Sequence, residues 1–166
     1  GEEAYPVYEY RISDADRTVK TFDCFGTLTG DADERGNQTR LIYDAGQNLK
    51  QIRSASGRVY TITTDQEGRI AKIALPNGGV LRYGYDDKGD LVSFTDACGA
   101  VTRYEYDREH RMTAWYDGNG SCIITNEYDK TSRVIRQTDA CGGVSTLQYG
   151  DGKTVAEDAA GNRTTY

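Results

Sequence analysis

Apolar and polar positions alternate in short runs along most of this chain. In Thr102-Arg103-Tyr104-Glu105-Tyr106, the residues Thr102, Tyr104 and Tyr106 point one way, while Arg103 and Glu105 point the other. The same rule puts Leu81, Tyr83 and Tyr85 on one face, as it does Thr39, Leu41 and Tyr43, and Tyr60 with Ile62. One face is therefore aromatic and aliphatic, and the other is charged or polar. The runs in between are less regular. Their apolar residues sit three apart: Leu49 with Ile52, Ile70 with Ile73, Leu91 with Phe94, Met112 with Trp115. Strict alternation would place each such pair on opposite faces. Either both faces are partly covered or a bulge follows the preceding glycine.

Turn signals separate the runs every 10 or 11 residues. One series follows an aromatic-Asp or related step: Phe22-Asp23, Tyr43-Asp44, Thr64-Asp65, Tyr85-Asp86, Tyr106-Asp107, Tyr128-Asp129 and Tyr149-Gly150. These recur at intervals of 21 residues, with a single interval of 22. The second series is Asp33-Glu34-Arg35-Gly36, Ser54-Ala55-Ser56-Gly57, Leu75-Pro76-Asn77-Gly78, Asp96-Ala97-Cys98-Gly99, Asp117-Gly118-Asn119-Gly120, Asp139-Ala140-Cys141-Gly142 and Asp158-Ala159-Ala160-Gly161. Asp or Ser first and Gly fourth is the signature of a type I turn, with the glycine at positive φ. Asp44-Ala45-Gly46 shifts its glycine by one. Asp107-Arg108-Glu109-His110 and Asp129-Lys130-Thr131-Ser132 lack it, and Asp151-Gly152 suits a two-residue hairpin.

A period this strict defines a repeat architecture. The expected fold is all-β: a repetitive antiparallel hairpin meander over residues 1–166, with about seven repeats and an irregular leading stretch at 1–21. Two strands per repeat make about 14 strands and a sheet roughly 65–70 Å wide. Open twisted sheets of that width curl, so a strongly curved or spiral sheet is expected.

Composition narrows the function. Hydrophobic residues make up 37%, and 13 of the 166 residues are tyrosine, whose ring can pack while its hydroxyl stays wet. That suits a thin sheet better than a thick core. No segment approaches the ~18 apolar residues of a membrane helix, and a membrane barrel is disfavoured by charges crowding one face. The net charge of -6 and the lack of a basic stripe argue against nucleic acid. Cys98 and Cys141 occupy the same turn position two repeats apart. At ~19 Å from strand spacing they are beyond disulfide reach, so all four cysteines read as free thiols. The chain starts and stops within repeats and reads as a piece of a longer array.

Candidate chemistry is sparse. His110 stands alone where a turn glycine is expected, with no partner evident for a triad or metal site. Asp31, Asp33 and Glu34, or Asp117 with Asn119, could be calcium ligands, but turn chemistry accounts for them. No catalytic, cofactor-binding or metal residue is assigned, and no enzyme activity is expected.

The phrase Tyr85-Asp86-x-x-Gly89-x-Leu91, then Asp96-Ala97-x-Gly99, then Thr102-x-Tyr104-x-Tyr106-Asp107 resembles the Rhs or YD-repeat family. Gly36-Asn37-Gln38-Thr39-Arg40 and Gly161-Asn162-Arg163-Thr164-Thr165-Tyr166 are similar to its Gly-Asn-x-Thr segment, and the resemblance covers residues 22–166. The family includes bacterial polymorphic toxins, components of insecticidal toxin complexes and animal teneurins. The resemblance implies a hollow β-shell enclosing a C-terminal toxin, exported from bacteria, often through type VI secretion, and used in interbacterial competition. The Asp-Pro-rich self-cleavage motif of many members is absent, since Pro6 and Pro76 are the only prolines. The partners expected are neighbouring repeats and the enclosed toxin, with self-association through bare sheet edges near residues 5–20 and 160–166. Tyr43, Tyr83, Tyr85, Tyr104, Tyr106 and Tyr128 then read as a packing ladder, and Gly89, Gly99 and Gly142 as its turns. The alternative is a carbohydrate- or cell-surface-binding module using exposed tyrosines.

Overall fold

The computed structural model describes residues 9–166. Pro6, Tyr8 and the first residues of the edge expected near 5–20 lie outside the described residues. Two compact units divide between residues 81 and 82. The first holds β1 (Tyr10–Ser13), β2 (Val19–Phe22), β3 (Leu28–Ala32), β4 (Gln38–Tyr43), β5 (Leu49–Arg53), β6 (Val59–Thr64) and β7 (Ile70–Ala74). The division falls inside β8 (Val80–Tyr85). The second unit continues with β9 (Leu91–Thr95), β10 (Val101–Tyr106), β11 (Met112–Tyr116), β12 (Cys122–Tyr128), β13 (Val134–Asp139), β14 (Val144–Gly150), β15 (Lys153–Glu157) and β16 (Arg163–Thr165). Strand order follows chain order from β1 to β16 without a crossover. No helix occurs among the described residues. The 16 strands correct the count of about 14. Both extra strands, β1 and β2, belong to the leading stretch; β3 to β16 are two per repeat.

The turns follow one recipe. In Asp96-Ala97-Cys98-Gly99, the Gly99 N–H donates to the Asp96 carbonyl at 3.1 Å, and the Asp96 N–H donates to the Ala100 carbonyl at 3.0 Å. Gly99 has φ +89°. This is a type I turn closed by a left-handed residue. The Asp96 carboxylate adds a lock, accepting from the N–H groups of Cys98 at 2.8 Å and Ala100 at 2.9 Å. Where the glycine is missing, the backbone keeps the same shape. Gln47, His110 and Ser132 have φ +62°, +62° and +63°, and in Asp44-Ala45-Gly46-Gln47 the left-handed residue is Gln47, not the displaced glycine. Asp151 and Gly152 are both left-handed, and Gly150 faces Lys153, as a two-residue hairpin requires.

A Cβ added to Gly99 would meet nothing within 4 Å, so only backbone strain opposes substitution there. Gly99→Val is expected to destabilise by about 1–3 kcal/mol. Ser132→Gly, which removes the same strain, is expected to stabilise by about 1 kcal/mol. Urea unfolding of the three proteins checks both signs. A Gly99→Val midpoint equal to the parent's would overturn the left-handed assignment.

Bulges account for the three-residue apolar spacing. Tyr85 faces Leu91 and Gly84 faces Ser93, so Val92 is the extra residue. Leu91 and Phe94 thereby return to one face, opposite Tyr85 and Tyr83. The same shift lies between Thr21 and Phe22, Ile42 and Tyr43, Thr63 and Thr64, Glu105 and Tyr106, and Glu127 and Tyr128. An extra residue in one strand of an antiparallel pair reverses the pleat parity beyond it. A further shift between Trp115 and Tyr116 follows a turn of the second series.

Burial is thin. Ile62 and Ala114, each 4% exposed, are the buried apolar residues of the described chain, and no side chain is below 2%. Ile62 faces Ile73 on the aromatic side of the first unit. Ala114 faces Glu105 on the polar side of the second, so both sides carry some cover. With so little full burial, cohesion comes from many half-buried cross-strand pairs, each contributing about 0.2–1 kcal/mol.

Candidate functional site

The six tyrosines of the expected ladder face aliphatic or aromatic partners across the strands, not each other. In the first unit Tyr43 faces Leu49, and its hydroxyl donates to the Leu28 carbonyl at 2.9 Å. In the second unit Tyr83 faces Phe94 with ring centroids 5.3 Å apart, Tyr85 faces Leu91, Tyr104 faces Trp115, Tyr106 faces Met112 and Tyr128 faces Val134. All six tyrosines are half-buried. Tyr128 and Tyr149 donate their hydroxyls to the carbonyls of Met112 at 2.6 Å and Val134 at 2.7 Å. Gly89 and Gly142 share the left-handed conformation of Gly99, with φ +91° and +80°.

The sequence pattern did not single out the arginines that finish this arrangement. Arg111 follows Asp107 by four residues. Its Nε donates to the Asp107 carboxylate at 2.7 Å and its Nη1 to the Asp129 carbonyl at 3.1 Å. The guanidinium carbon stands 4.9 Å from the Tyr128 ring centroid, so one side chain ties two successive turns and covers the next tyrosine. Arg133 repeats this with Asp129, at 2.9 Å, and Tyr149, at 4.3 Å. The spacing Asp-x-x-x-Arg, visible at Asp65–Arg69 after Thr64 and at Asp107–Arg111 and Asp129–Arg133 after a tyrosine, was the available signal.

His110 is a correction. It is not partnerless: its Nδ1 lies 2.8 Å from Oδ1 of Asp90, one repeat earlier. The left-handed turn backbone aims the imidazole back along the rim of the sheet, which linear spacing does not reveal. The other oxygen of Asp90 is buried without a hydrogen-bond partner. Burial, and then the charge of Asp90, raise the ionisation range of Tyr106. Asn126, 9% exposed, was also missed. It sits opposite Gln137 and is satisfied by the Met112 carbonyl at 3.1 Å and the Gln137 amide at 2.9 Å.

Of the acids considered as calcium ligands, Asp33 and Asp117 serve their own turns, and Asp31 lies in β3 opposite Lys20. Asp33 accepts from the N–H groups of Arg35 and Asn37, and Asp117 from those of Asn119 and Ser121. Among the described residues no group of three or more His, Cys, Asp or Glu side chains could hold a metal ion. Cys24, Cys98 and Cys141 are exposed free thiols and Cys122 is a half-buried one.

Hydrogen bonds hold several of the turn carboxylates below their ordinary range, Asp33, Asp107, Asp129 and Asp158 among them. The Arg133 N–H, followed by the Thr131 hydroxyl, holds Asp129 far below the usual carboxylate range. The Arg111 side chain does this for Asp107, and the amides of Asn37 and Asn162 do it for Asp33 and Asp158. Groups depressed in the folded state contribute stability above the unfolded value of ~4, and that stability is lost as pH falls toward the folded values. Thermal melts are expected to be flat with respect to these groups near neutrality and to drop steadily below about pH 4. Asp129→Asn should shrink the drop. A melting temperature unchanged on acidification would show that the turn bonds carry no net stability.

The class these features define is a single-sheet antiparallel β-meander built from a 21-residue turn-and-ladder repeat. Residues 85–121 match the family model for the RHS Repeat, so this stretch is an Rhs repeat. Among curated proteins none matches the chain by sequence. Among solved structures it is similar to a crystal structure of TcdB2-TccC3-Cdc42, with TM-score 0.63 and 18% identity, over 89% of this chain and 10% of that one. It is also similar to the Photorhabdus luminescens Tc holotoxin pore, with TM-score 0.64 and 19% identity, over 89% of this chain and 9% of that one. A crystal structure of TcdB2-TccC3 matches with TM-score 0.64 and 19% identity, covering 89% of this chain and 10% of that one. The chain spans about a tenth of the length of these neighbours, and the likeness is one of fold.

Proposed function

We propose that this chain is a length of wall in the β-shell of an exported Rhs-type toxin, and that the shell encloses a C-terminal toxin segment of the same parent chain. Its role is structural, not catalytic. The observation that carries the reading is the use of the repeated polar groups. The turn aspartates, the hydroxyls of Tyr43, Tyr128 and Tyr149 and the stacked arginines are bonded to their own turn or to a neighbouring strand or turn. The Rhs repeat at 85–121 and the Tc toxin neighbours support it. Sugar recognition through the tyrosines draws less support, because the hydroxyls of Tyr43, Tyr128 and Tyr149 already donate to backbone carbonyls. β1 and β16 end the strand order, so neighbouring repeats are the partners that would extend the sheet.

The test is limited proteolysis of purified parent protein. The C-terminal segment should resist digestion in the parent and in His110→Ala. It should be cut rapidly when Tyr85→Asp and Tyr104→Asp are combined, because two charges must be buried or the strands released. A C-terminal segment equally accessible in all three proteins would end the shell reading.

A further inference from the structure

Three cross-strand pairs of charged residues in this protein carry opposite signs. Lys20 faces Asp31. Glu127 faces Arg136, with the charged groups 3.6 Å apart, and Glu157 faces Arg163, at 2.6 Å. Arg40 on β4 faces Arg53 on β5. Like charges directly opposite are unfavourable in a ladder, and nothing nearby relieves this pair. Arg40 makes no ion pair and Arg53 neither an ion pair nor a hydrogen bond among the described residues; Nε of Arg40 donates to the Gln38 side-chain oxygen at 3.2 Å. On their other sides Arg40 faces Gly30 and Arg53 faces Val59, neither of which carries charge. The acid of the turn that leads into β4, Asp33, is engaged by the N–H groups of Arg35 and Asn37 and by the Asn37 amide at 2.7 Å.

The two arginines border an open depression of about 390 Å³, lined also by Asn37, Gln38 and Ser54. Two exposed planar forks carrying two positive charges, flanked by amide and hydroxyl donors, match the charge and the acceptor oxygens of a tetrahedral dianion. We propose that Arg40 and Arg53 form a binding site for a phosphate or sulfate group on the polar side of the first unit. Such a group would neutralise the like-charge pair and accept from both guanidinium groups at once. The inference does not depend on the shell reading, since it rests on one cross-strand pair.

The experiment uses inorganic phosphate, with sodium chloride at matched ionic strength as the reference. Phosphate should raise the melting temperature in a saturable way, with half-saturation at about 1 mM. Isothermal titration should show Arg40→Gln and Arg53→Gln each weakening phosphate about tenfold or more. Arg53→Glu should abolish the phosphate response and, without phosphate, melt above the parent, because it turns the pair into one like Glu127–Arg136. This second variant keeps the test decisive should a glutamine variant fold poorly. Glycerol phosphate distinguishes the source: binding at least as tight as inorganic phosphate indicates a group carried on a larger molecule, and weaker binding the free ion. A phosphate response no greater than that of chloride, or one that survives in Arg53→Glu, overturns the site.

Discussion

Tyr128→Ala is expected to destabilise the protein by about 2–4 kcal/mol, and Tyr128→Phe by no more than about 1 kcal/mol. The ring is half-buried, faces Val134 and carries the Arg111 guanidinium at 4.9 Å. Alanine removes the ring's packing and uncovers Arg111. Large-to-small changes at buried aromatic sites cost about 3–5 kcal/mol, and partial exposure lowers the figure. Phenylalanine removes only the hydroxyl bond to the Met112 carbonyl. That carbonyl keeps a second donor, the Asn126 amide at 3.1 Å, so no buried acceptor is left bare. Urea unfolding of both variants measures the difference. Equal losses would mean that the hydroxyl bond, not the ring, holds the two repeats together. A double-mutant cycle with Arg111→Ala should show coupling of about 0.5–2 kcal/mol for the stacked pair.

The second large effect belongs to Ile62. It is 4% exposed and faces Ile73, the best-covered apolar contact of the first unit. Ile62→Ala is expected to cost about 2–4 kcal/mol, through lost transfer free energy and the cavity left behind. Ile42, on the adjacent hairpin, is 41% exposed. Ile42→Ala should therefore stay within about 0.5 kcal/mol of the parent. Equal effects at the two sites would show that the aromatic side of the sheet is no better packed than the polar side.

Both expectations follow from how this fold is stabilised. A sheet with so few buried residues depends on contacts that reach one strand further along, such as Tyr128 to Met112 or Arg111 to the Asp129 carbonyl. Each is modest, but they recur once per repeat, and each ties together segments that local turns alone would leave independent. Repeat proteins gain stability in this nearest-neighbour way.

The period, the turns and the faces of the strictly alternating strands were determined by the sequence alone. Asp at the first turn position and Gly at the fourth are read by local backbone chemistry, and alternation within Thr102–Tyr106 by the pleat, so neither needs a distant contact to be legible. Three features were decided only by the tertiary structure. The parity of the strands that begin at Leu49, Ile70, Leu91 and Met112 was open until the bulges appeared, because a bulge is defined by the partner strand's register and not by its own residues. His110 looked solitary, yet a backbone held left-handed turns its ring to Asp90, twenty residues away in sequence and a hydrogen bond away in space. Arg111 and Arg133 looked like ordinary surface charges, and Arg40 and Arg53 like ordinary strand polarity. Which of them meets a carboxylate and a tyrosine, and which meets another arginine, depends on the pairing of strands, and that pairing exists only once the sheet has formed.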